Sequence, residues 1–166
     1  MGVLALLALA ACSGGAPRPS PSPAASSTPD DLAALPPDVA EPYRAAREAV
    51  RRRDHAEARR LLQTAVGLMP DFTEGWYNLG AASSHLAVEA AGRGEDQAAL
   101  AFFREGLDAK RRADGLIREG RWLIYNPQQQ EQVKSDLAHA LEDADEVAAN
   151  EEALLAALRL HAAAGN

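Results

Sequence analysis

The sequence predicts an all-α fold of antiparallel helical hairpins, and three observations lead to this prediction. The chain has 166 residues, of which 47% are hydrophobic and 25% charged, a composition typical of a globular protein. From Asp38 onward, apolar residues recur three and four positions apart, as on one face of a helix, and no stretch alternates for long as a strand does. The prolines of this part, Pro42, Pro70 and Pro127, all fall at predicted helix borders.

The first hairpin is predicted between residues 42 and 69. Its first helix starts near Pro42, since proline suits the first helical turn. One face of this helix carries Tyr43, Ala46 and Val50. The second helix starts after Asp54, which forms a capping-box pattern with Glu57. Its apolar residues are Ala58, Leu61, Leu62, Ala65, Val66 and Met69.

The second hairpin is predicted between Asp71 and Gly120. Asp71 and Glu74 repeat the capping pattern and open a third helix, which ends near Ala91 at the sequence Gly92-Arg93-Gly94. A fourth helix follows from about Glu95. The apolar positions are Trp76, Leu79, Gly80 and Leu86 in the third helix, and Leu100, Phe103, Leu107, Leu116 and Ile117 in the fourth.

A C-terminal hairpin is predicted over residues 121–166. Asn126 and Pro127 form the N-cap and first position of a fifth helix, and Asn150 caps a sixth. The fifth helix carries the stripe Val133, Leu137, Leu141, Ala144 and Val147 or Ala148. The sixth carries Leu154, Leu155 and Leu158. We expect this hairpin to cap the open apolar end of the preceding helices.

Residues 39–82 resemble the 34-residue tetratricopeptide repeat (TPR), which places small residues where paired helices touch and a proline after the second helix. Counted from Val39 to Phe72, a first repeat has its small, small, large, small and proline positions at Ala46, Ala58, Leu62, Ala65 and Pro70. A second repeat starts at Thr73 and contains Trp76, Leu79 and Gly80 in the W-x-x-L-G order. The resemblance implies a right-handed TPR-like array over residues 38–120.

The second repeat departs from this pattern in its later half. Ser83 stands where tyrosine is usual. The anchors of the second helix come late, because Gly80 and Ala99 are 19 positions apart rather than about 12. These late anchors are Ala99, Phe103 and Gly106. We expect an extended inter-helix segment around Val88 to Asp96 to contain the additional residues.

The TPR resemblance also implies a partner-binding face, since such arrays bind an extended peptide or a helix along their concave side. The lining positions in this register are Tyr43, Arg47, Arg51, Tyr77, Asn78, Ser84 and His85. Aromatic and arginine side chains suit protein recognition. Some family members clamp a C-terminal carboxylate with lysine and asparagine. Asn78 fits one clamp position, but Tyr43 and Arg47 replace the others, so the clamp is not predicted.

The first twelve residues resemble a bacterial lipoprotein signal. Residues 3–11 are an apolar run too short to span a membrane but long enough for the core of a signal peptide over residues 1–11. Cys12 follows this run directly, and the tetrad Leu9-Ala10-Ala11-Cys12 resembles a lipobox. The resemblance implies cleavage before Cys12, with covalent diacylglycerol and an N-acyl (palmitate) chain on that cysteine. By resemblance to lipoprotein sorting in bacteria with two membranes, Ser13 rather than Asp after the cysteine implies the outer membrane, facing the periplasm. The other interpretation is a short apolar start with an incidental thiol.

Residues 12–37 are predicted to form the lipidated cysteine and a disordered tether. Proline alternates there with small residues, a composition that favours extended polyproline II and has little to bury. A proline-rich ligand for another protein is the alternative interpretation.

Charge and motifs argue against nucleic-acid binding, metal binding and catalysis. The net charge is -7, whereas phosphate binding needs a clustered cationic surface. His55, His85, His139 and His161 are dispersed, and only Asp136 with His139 has a weak metal-ligand spacing. The acidic run 142–146 lacks the glycine turn of a calcium loop. Because phosphate loops, nucleophile elbows and a second cysteine are also missing from the sequence, we expect no enzyme and no cofactor besides the lipid.

Charge separates along the chain, and this bears on the partner. Residues 42–61 contain seven arginines and three acids, giving +4, whereas residues 122–166 contain two cations and eight acids, giving -6. The sequence therefore predicts a membrane-anchored, non-catalytic adaptor or scaffold that binds a protein or peptide in the cell envelope. The alternative is a structural envelope lipoprotein that self-associates or contacts the cell wall. A third hypothesis, a small-ligand or metal-binding helical domain, predicts a melting temperature that shifts with metal or chelator.

Overall fold

A computed structural model describes residues 32, 34–121 and 127–165, and its regular elements there are seven α-helices, which confirms the all-α prediction. They are α1 (Pro37–Arg51), α2 (His55–Leu68), α3 (Thr73–Gly92), α4 (Asp96–Arg118), α5 (Pro127–Leu141), α6 (Ala144–Ala149) and α7 (Glu151–Ala164). The predicted signal peptide, Cys12, most of the predicted tether and the N-cap Asn126 lie outside the described residues. In the described part, no helix is long and apolar enough to cross a membrane.

α1 begins at Pro37, ahead of the predicted start near Pro42, which lies inside the helix. Packing explains the earlier start. Leu32 and Leu35, near the end of the predicted tether, are buried in the same core as α1, so the packed part of the chain begins before residue 38. The buried face of α1 consists of Val39, Ala40, Tyr43, Ala46 and Ala49. Val50, predicted on this face, is instead 43% exposed.

The capping pattern at the start of α2 is half formed. The Asp54 carboxylate accepts a hydrogen bond from the Glu57 backbone N–H at 3.1 Å, as predicted. The Glu57 carboxylate turns instead to Arg60, which donates to it from Nε at 2.7 Å and from Nη2 at 2.6 Å. α2 ends at Leu68, before Pro70.

α3 starts without a side-chain cap, so the capping pattern predicted at Asp71 and Glu74 is wrong. Phe72 occupies the N-cap position, and the neighbouring Thr73 hydroxyl donates to the Arg121 carbonyl. Glu74 is fully buried, and Asp71 forms an ion pair with Arg121 at 3.2 Å. Tertiary contacts thus take both acidic side chains away from the helix terminus.

The extended segment predicted around Val88 to Asp96 is also wrong, because α3 continues to Gly92 and only residues 93–95 separate it from α4. Gly94 takes φ +75° in this turn, a left-handed conformation that glycine adopts at little cost. The seven additional residues therefore lengthen helices. Seven residues make about two helical turns, so the buried face keeps its direction along the lengthened pair.

α3 and α4 approach closely at two glycines. A Cβ added to Gly80 would lie 2.7 Å from the Lys110 Cγ atom and 3.1 Å from the Gly106 carbonyl oxygen. A Cβ added to Gly106 would lie 3.1 Å from the Gly80 carbonyl oxygen. The small residues at these positions are therefore required by backbone contact between the two helices.

The predicted fifth helix is two helices, because Asp143 takes φ +56° and interrupts it after Leu141. The break sends the predicted stripe to two cores. Val133 and Leu137 pack with Ala113, whereas Ala144 and Val147 join α3, α4 and α7. The last helix starts as predicted, with the Asn150 side chain accepting from the Ala153 N–H at 3.0 Å.

Each of the first four helices packs against the next, and α7 packs on α3 and α4. The lengthened end of α3 supplies much of the surface for α7, since Ala87, Ala90 and Ala91 share a core with Leu154 and Leu158. α5 packs on α4. The C-terminal helices thus lie against the longest pair of helices and leave the outer side of α1 uncovered in the described part.

Candidate functional site

A cleft of about 310 Å³ lies beside α1 and reaches α2 and α3. Its lining residues are Tyr43, Ala46, Arg47, Val50, Arg51, Leu62 and Asn78. Four of the seven residues predicted to bind a partner are among them, namely Tyr43, Arg47, Arg51 and Asn78. We refer to this feature as the α1 cleft.

The polar base of the α1 cleft is held by ring packing and hydrogen bonds. Tyr43 is 1% exposed, and its ring meets the Phe72 ring edge to face, with centroids 4.8 Å apart. The Tyr43 hydroxyl accepts a hydrogen bond from the Asn78 side-chain amide at 2.9 Å. The same amide group donates to the Glu74 carbonyl at 2.7 Å. Both side chains are therefore fixed before any ligand arrives.

The wall of the α1 cleft carries excess positive charge. Arg47 and Arg51 are four residues apart on α1, so they lie on the same side of the helix. Glu48 is the single acid between residues 43 and 53, a stretch that contains five arginines, so the local charge is +4. Arg51 donates to the Glu48 carboxylate, and Arg52 lies 3.7 Å from it. One exposed carboxylate is therefore shared by two exposed arginines.

The other three predicted partner-binding residues, Tyr77, Ser84 and His85, do not line the α1 cleft. The Tyr77 hydroxyl donates to Asp136 of α5 at 2.8 Å. The Ser84 hydroxyl donates to the Gly80 carbonyl at 2.8 Å, and His85 stacks on another histidine. α5 thus engages Tyr77 and α2 engages His85, while the Ser84 hydroxyl bonds within α3.

Lys110 is a buried cation that sequence reasoning missed. Its ammonium group donates to the Ser84 hydroxyl at 2.9 Å. Burial lowers the pKa of Lys110 to about 8, although the Asp136 carboxylate acts in the opposite direction. The available signal was its position, because Phe103, Leu107 and Lys110 follow the buried spacing of α4.

His55 and His85, predicted to be dispersed, form a stacked pair with ring centroids 4.3 Å apart and planes 11° from parallel. The His55 Nδ1 atom is buried without a hydrogen-bond partner in the described part, and its Nε2 lies 3.9 Å from a Glu89 oxygen. Burial lowers the pKa of His85 to about 4, and the positive charges of His55, Lys110, His161 and Arg53 lower it further in that order. His85 keeps more than a third of its surface exposed, so water weakens these effects.

The described residues contain no group of three or more His, Cys, Asp or Glu side chains arranged to hold a metal ion. The stacked histidines illustrate the geometry. Imidazole lone pairs lie in the ring plane, so two nearly parallel rings direct them side by side rather than toward one ion. His139 faces Glu142 at 3.9 Å on the same chain segment.

A second and larger concavity, of about 950 Å³, lies between α2, α3 and α4. Its lining residues are Gln63, Val66, Gly67, Pro70, Trp76, Leu79, Glu105, Asp108, Ala109 and Arg112. The Trp76 ring is fixed by a 2.9 Å hydrogen bond from its Nε1 to the Pro70 carbonyl. We refer to this feature as the α2–α4 groove.

Glu105 joins three helices at the edge of the α2–α4 groove. It accepts from Arg59 Nε at 2.5 Å and Nη2 at 2.9 Å, from Gln63 at 2.6 Å and from the Ser83 hydroxyl at 2.9 Å. Burial raises the pKa of Glu105, but the hydrogen bonds from Arg59, Ser83 and Gln63 outweigh it and leave the pKa below its ordinary value. The Glu105 carboxylate is therefore charge-compensated by Arg59.

The spacing pattern placed Tyr43, Arg47 and Arg51 on one side of α1, whereas the α2–α4 groove and the histidine stack were missed because they depend on contacts between distant segments. His55 and His85 are 30 positions apart in the chain (85 - 55), so no local period links them. No protein-family model matches the chain, and no match to it was found among curated proteins or among solved structures.

Proposed function

We propose that the chain is a membrane-anchored, non-catalytic, TPR-like protein–protein interaction module that acts as an adaptor or scaffold of the bacterial cell envelope. The observation that carries this proposal is the α1 cleft. It combines the exposed Val50 side chain, two arginines and an amide held by hydrogen bonds. Such a mixture of apolar and hydrogen-bonding groups is typical of a protein-recognition surface.

The burial of the repeat positions supports the TPR-like reading of residues 38–120. Ala46, Ala58, Ala65 and Ala99 are each 0% exposed, as expected where paired helices touch. The close approach at Gly80 and Gly106 fits the same expectation. The late second helix is consistent with it too, because two additional helical turns keep the register of the repeat.

The anchor is proposed from the sequence alone. Diacylglycerol and an N-acyl chain on Cys12 would hold the domain at a membrane. Because Ser13 follows the cysteine, we propose the outer membrane, with the domain facing the periplasm. Several acyl chains give stable attachment, since each buried methylene contributes about 0.8 kcal/mol. We expect labelled palmitate to be incorporated into the wild-type chain and not into Cys12→Ala. Absence of label from the wild type would end the lipoprotein proposal.

The adaptor role is tested by capture of membrane-tethered complexes after chemical crosslinking. We expect the double variant Arg47→Glu, Arg51→Glu to lose the partners that the wild type captures. A matched control is Arg93→Glu, Arg118→Glu, which changes the net charge equally at residues outside the α1 cleft. Unchanged capture by the cleft variant would refute binding at this cleft.

The alternative function, a structural envelope lipoprotein, is favoured by one observation. Asp143, Glu146 and Glu152 are exposed acids near the C-terminal helices. An exposed acidic face suits self-association with a basic one or contact with a charged polymer. Light scattering of the purified chain distinguishes the two functions, because the adaptor remains monomeric at micromolar concentration and the structural protein does not.

A further inference from the structure

We propose that the three arginines at the turn between α1 and α2, Arg51-Arg52-Arg53, bind the anionic headgroups of the membrane that holds the chain. We refer to these residues as the arginine turn. This inference rests on the proposed membrane anchor and specifies which surface of the domain faces the bilayer. It follows from the backbone of the turn, from its charge and exposure, and from the length of chain that precedes Leu32.

The backbone of the arginine turn has a conformation for which the chain uses glycine elsewhere. The Arg53 N–H donates to the Val50 carbonyl at 2.9 Å, and the next N–H donates to the Ala49 carbonyl at 2.9 Å. This pair of hydrogen bonds is the Schellman pattern of a helix C-terminus. The same pair ends α3 at Gly94 and α4 at Gly120. The residue at this position has φ +58° in the arginine turn, and +75° and +76° at the two glycines.

Arg53 is therefore placed where glycine would be less strained. A residue with a Cβ is disfavoured at a left-handed φ, whereas glycine adopts it freely. No ion pair offsets this cost, because Arg53 has no carboxylate partner within the part of the chain that the structure describes. The equivalent turn between α3 and α4 also lacks spare charge, since Arg93 donates to Glu95 at 2.9 Å and 2.8 Å. The cation at position 53 thus indicates a role outside the fold.

The arginine turn is exposed and carries more positive than negative charge. Residues 50–54 are all exposed. Arg51 and Arg52 share the single carboxylate of Glu48, and their side chains are 66% and 57% exposed. Arg52 and Arg53 line neither the α1 cleft nor the α2–α4 groove. An exposed turn can contact a flat surface, which a cavity wall cannot.

Two observations favour an anionic bilayer as that surface. Val50 is 43% exposed directly before the arginine turn, and an aliphatic side chain beside cations suits the boundary between headgroups and acyl chains. The whole chain carries a net charge of -7, whereas residues 43–53 carry +4. An anionic membrane therefore repels most of the domain and attracts this part of it. The bilayer thus meets the domain at the arginine turn.

The chain that precedes the packed domain is long enough to allow this contact. The packed part begins at Leu32, before α1, and the arginine turn lies at the opposite end of that helix. α1 has 15 residues, so it is about 22 Å long at about 1.5 Å per residue. The 20 residues from Cys12 to Leu32 (32 - 12) can span about 60 Å at about 3.1 Å per residue. An anchor at Cys12 therefore permits the arginine turn to reach the bilayer.

The test is cosedimentation of the full chain with vesicles, in a Cys12→Ala background so that no acyl chain contributes. One vesicle preparation is phosphatidylcholine alone, and the other contains about 30% phosphatidylglycerol. We expect about tenfold tighter binding to the anionic vesicles at about 50 mM NaCl, and a smaller preference at about 300 mM NaCl as screening increases. The apolar residues 3–11 are present with both kinds of vesicle, so the ratio of affinities reports the charged surface.

Substitutions in this background locate the binding surface. Arg52→Gln, Arg53→Gln should lower the preference to about twofold or less. The control Arg93→Gln, Arg118→Gln changes the net charge equally at exposed residues and should leave the preference within about twofold of its parent.

Arg53→Gly separates the role of the side chain from that of the backbone. We expect its melting temperature to rise by about 2–4 °C, because glycine relieves the left-handed strain. Its preference for anionic vesicles should fall about threefold, because one cation is lost. Arg53→Lys keeps the charge and should keep the preference.

Several results would overturn the inference. Equal binding to the two vesicle preparations, equal losses in the turn and control variants, or a lower melting temperature of Arg53→Gly would each do so. Loss of crosslinked partners from Arg52→Gln, Arg53→Gln, without any vesicle preference, would assign the arginine turn to an acidic protein instead. If palmitate labels Cys12 and the vesicle preference is absent, the proposed anchor stands and this inference fails. If the label is absent and the preference depends on the arginine turn, the anchor fails and binding to the bilayer surface stands.

Discussion

At Glu105, a partly buried carboxylate accepts two hydrogen bonds from Arg59 together with two from neutral donors, whereas at Glu48 an exposed carboxylate is shared by Arg51 and Arg52. Both sites pair arginine with glutamate. The first is compensated and joins α2, α3 and α4, and the second leaves positive charge in excess at the edge of a cleft. The number of arginine–glutamate pairs alone therefore does not indicate whether a site stabilises the fold or binds a ligand. Burial and the ratio of donors to acceptors distinguish a contact that stabilises the fold from one available to a ligand.

The largest expected effect comes from removing one charge at each site. Glu105→Gln leaves Arg59 partly buried without a carboxylate, so we expect the free energy of unfolding to fall by about 2 kcal/mol. Glu48→Gln removes an exposed partner of two solvated arginines and should change it by less than about 0.5 kcal/mol. Urea unfolding followed by circular dichroism measures both. Equal effects in the two variants would contradict the comparison.

A smaller effect is expected at the base of the α1 cleft. Tyr43→Phe keeps the ring against Phe72 but removes the hydroxyl that accepts from Asn78. We expect a loss of about 1 kcal/mol in the free energy of unfolding, the usual value for one hydrogen bond. A variant as stable as the wild type, by the same urea measurement, would show that this hydrogen bond does not support the cleft.

The burial of His85, together with the positive charges around it, predicts a pH dependence. Its pKa is lowered to about 4, so the unfolded chain, with a pKa near 6.5, takes up the proton first as pH falls. The contribution of neutral His85 to the free energy of unfolding is therefore complete above pH 6.5, and it is lost as the pH falls toward 4. Because His85 remains partly exposed, we expect a modest effect, seen as a steeper fall in melting temperature over this window than in His85→Asn. Identical pH profiles of the two proteins would refute it. The Glu105 carboxylate loses its contribution to the free energy of unfolding only below its ordinary pKa of 4.5. The effects of His85 and Glu105 are therefore separated by pH.

The comparison also shows what could be predicted from the sequence. The spacing of apolar residues predicted most helices, and the caps at Asp54 and Asn150 formed because their bonds are local. The cap at Glu74 failed because tertiary packing buried that side chain. The helix break at Asp143 depends on a left-handed backbone conformation that composition does not reveal. Structure that depends on neighbouring residues could thus be predicted from the sequence. Structure that depends on contacts with distant segments could not.

The candidate site divides in the same way. Tyr43, Arg47 and Arg51 follow one period of α1, so a register argument brings them together. Tyr77 belongs to the same predicted face but bonds to Asp136, 59 positions away (136 - 77), because α5 returns to this end of α3. The role of the lengthened end of α3 likewise could not be predicted from the sequence, because it forms the surface on which the distant helix α7 packs. The residues that depart from the repeat pattern predicted from the sequence thus supply a packing surface in the fold.

The smallest predicted effect tests whether the α1 cleft is available to a ligand. Glu48→Gln raises the charge of residues 43–53 from +4 to +5 and releases Arg51 and Arg52 from their shared carboxylate. If Glu48 competes with the partner for these arginines, capture of the crosslinked partners should increase about two- to threefold, while the fold is nearly unchanged. The equivalent substitution at Glu105 should not tighten binding, because Arg59 does not line this cleft. Quantified capture of crosslinked partners by both variants at low salt decides the point. A gain at Glu105 equal to that at Glu48 would mean that net charge, rather than the arginines of the cleft, governs the attraction.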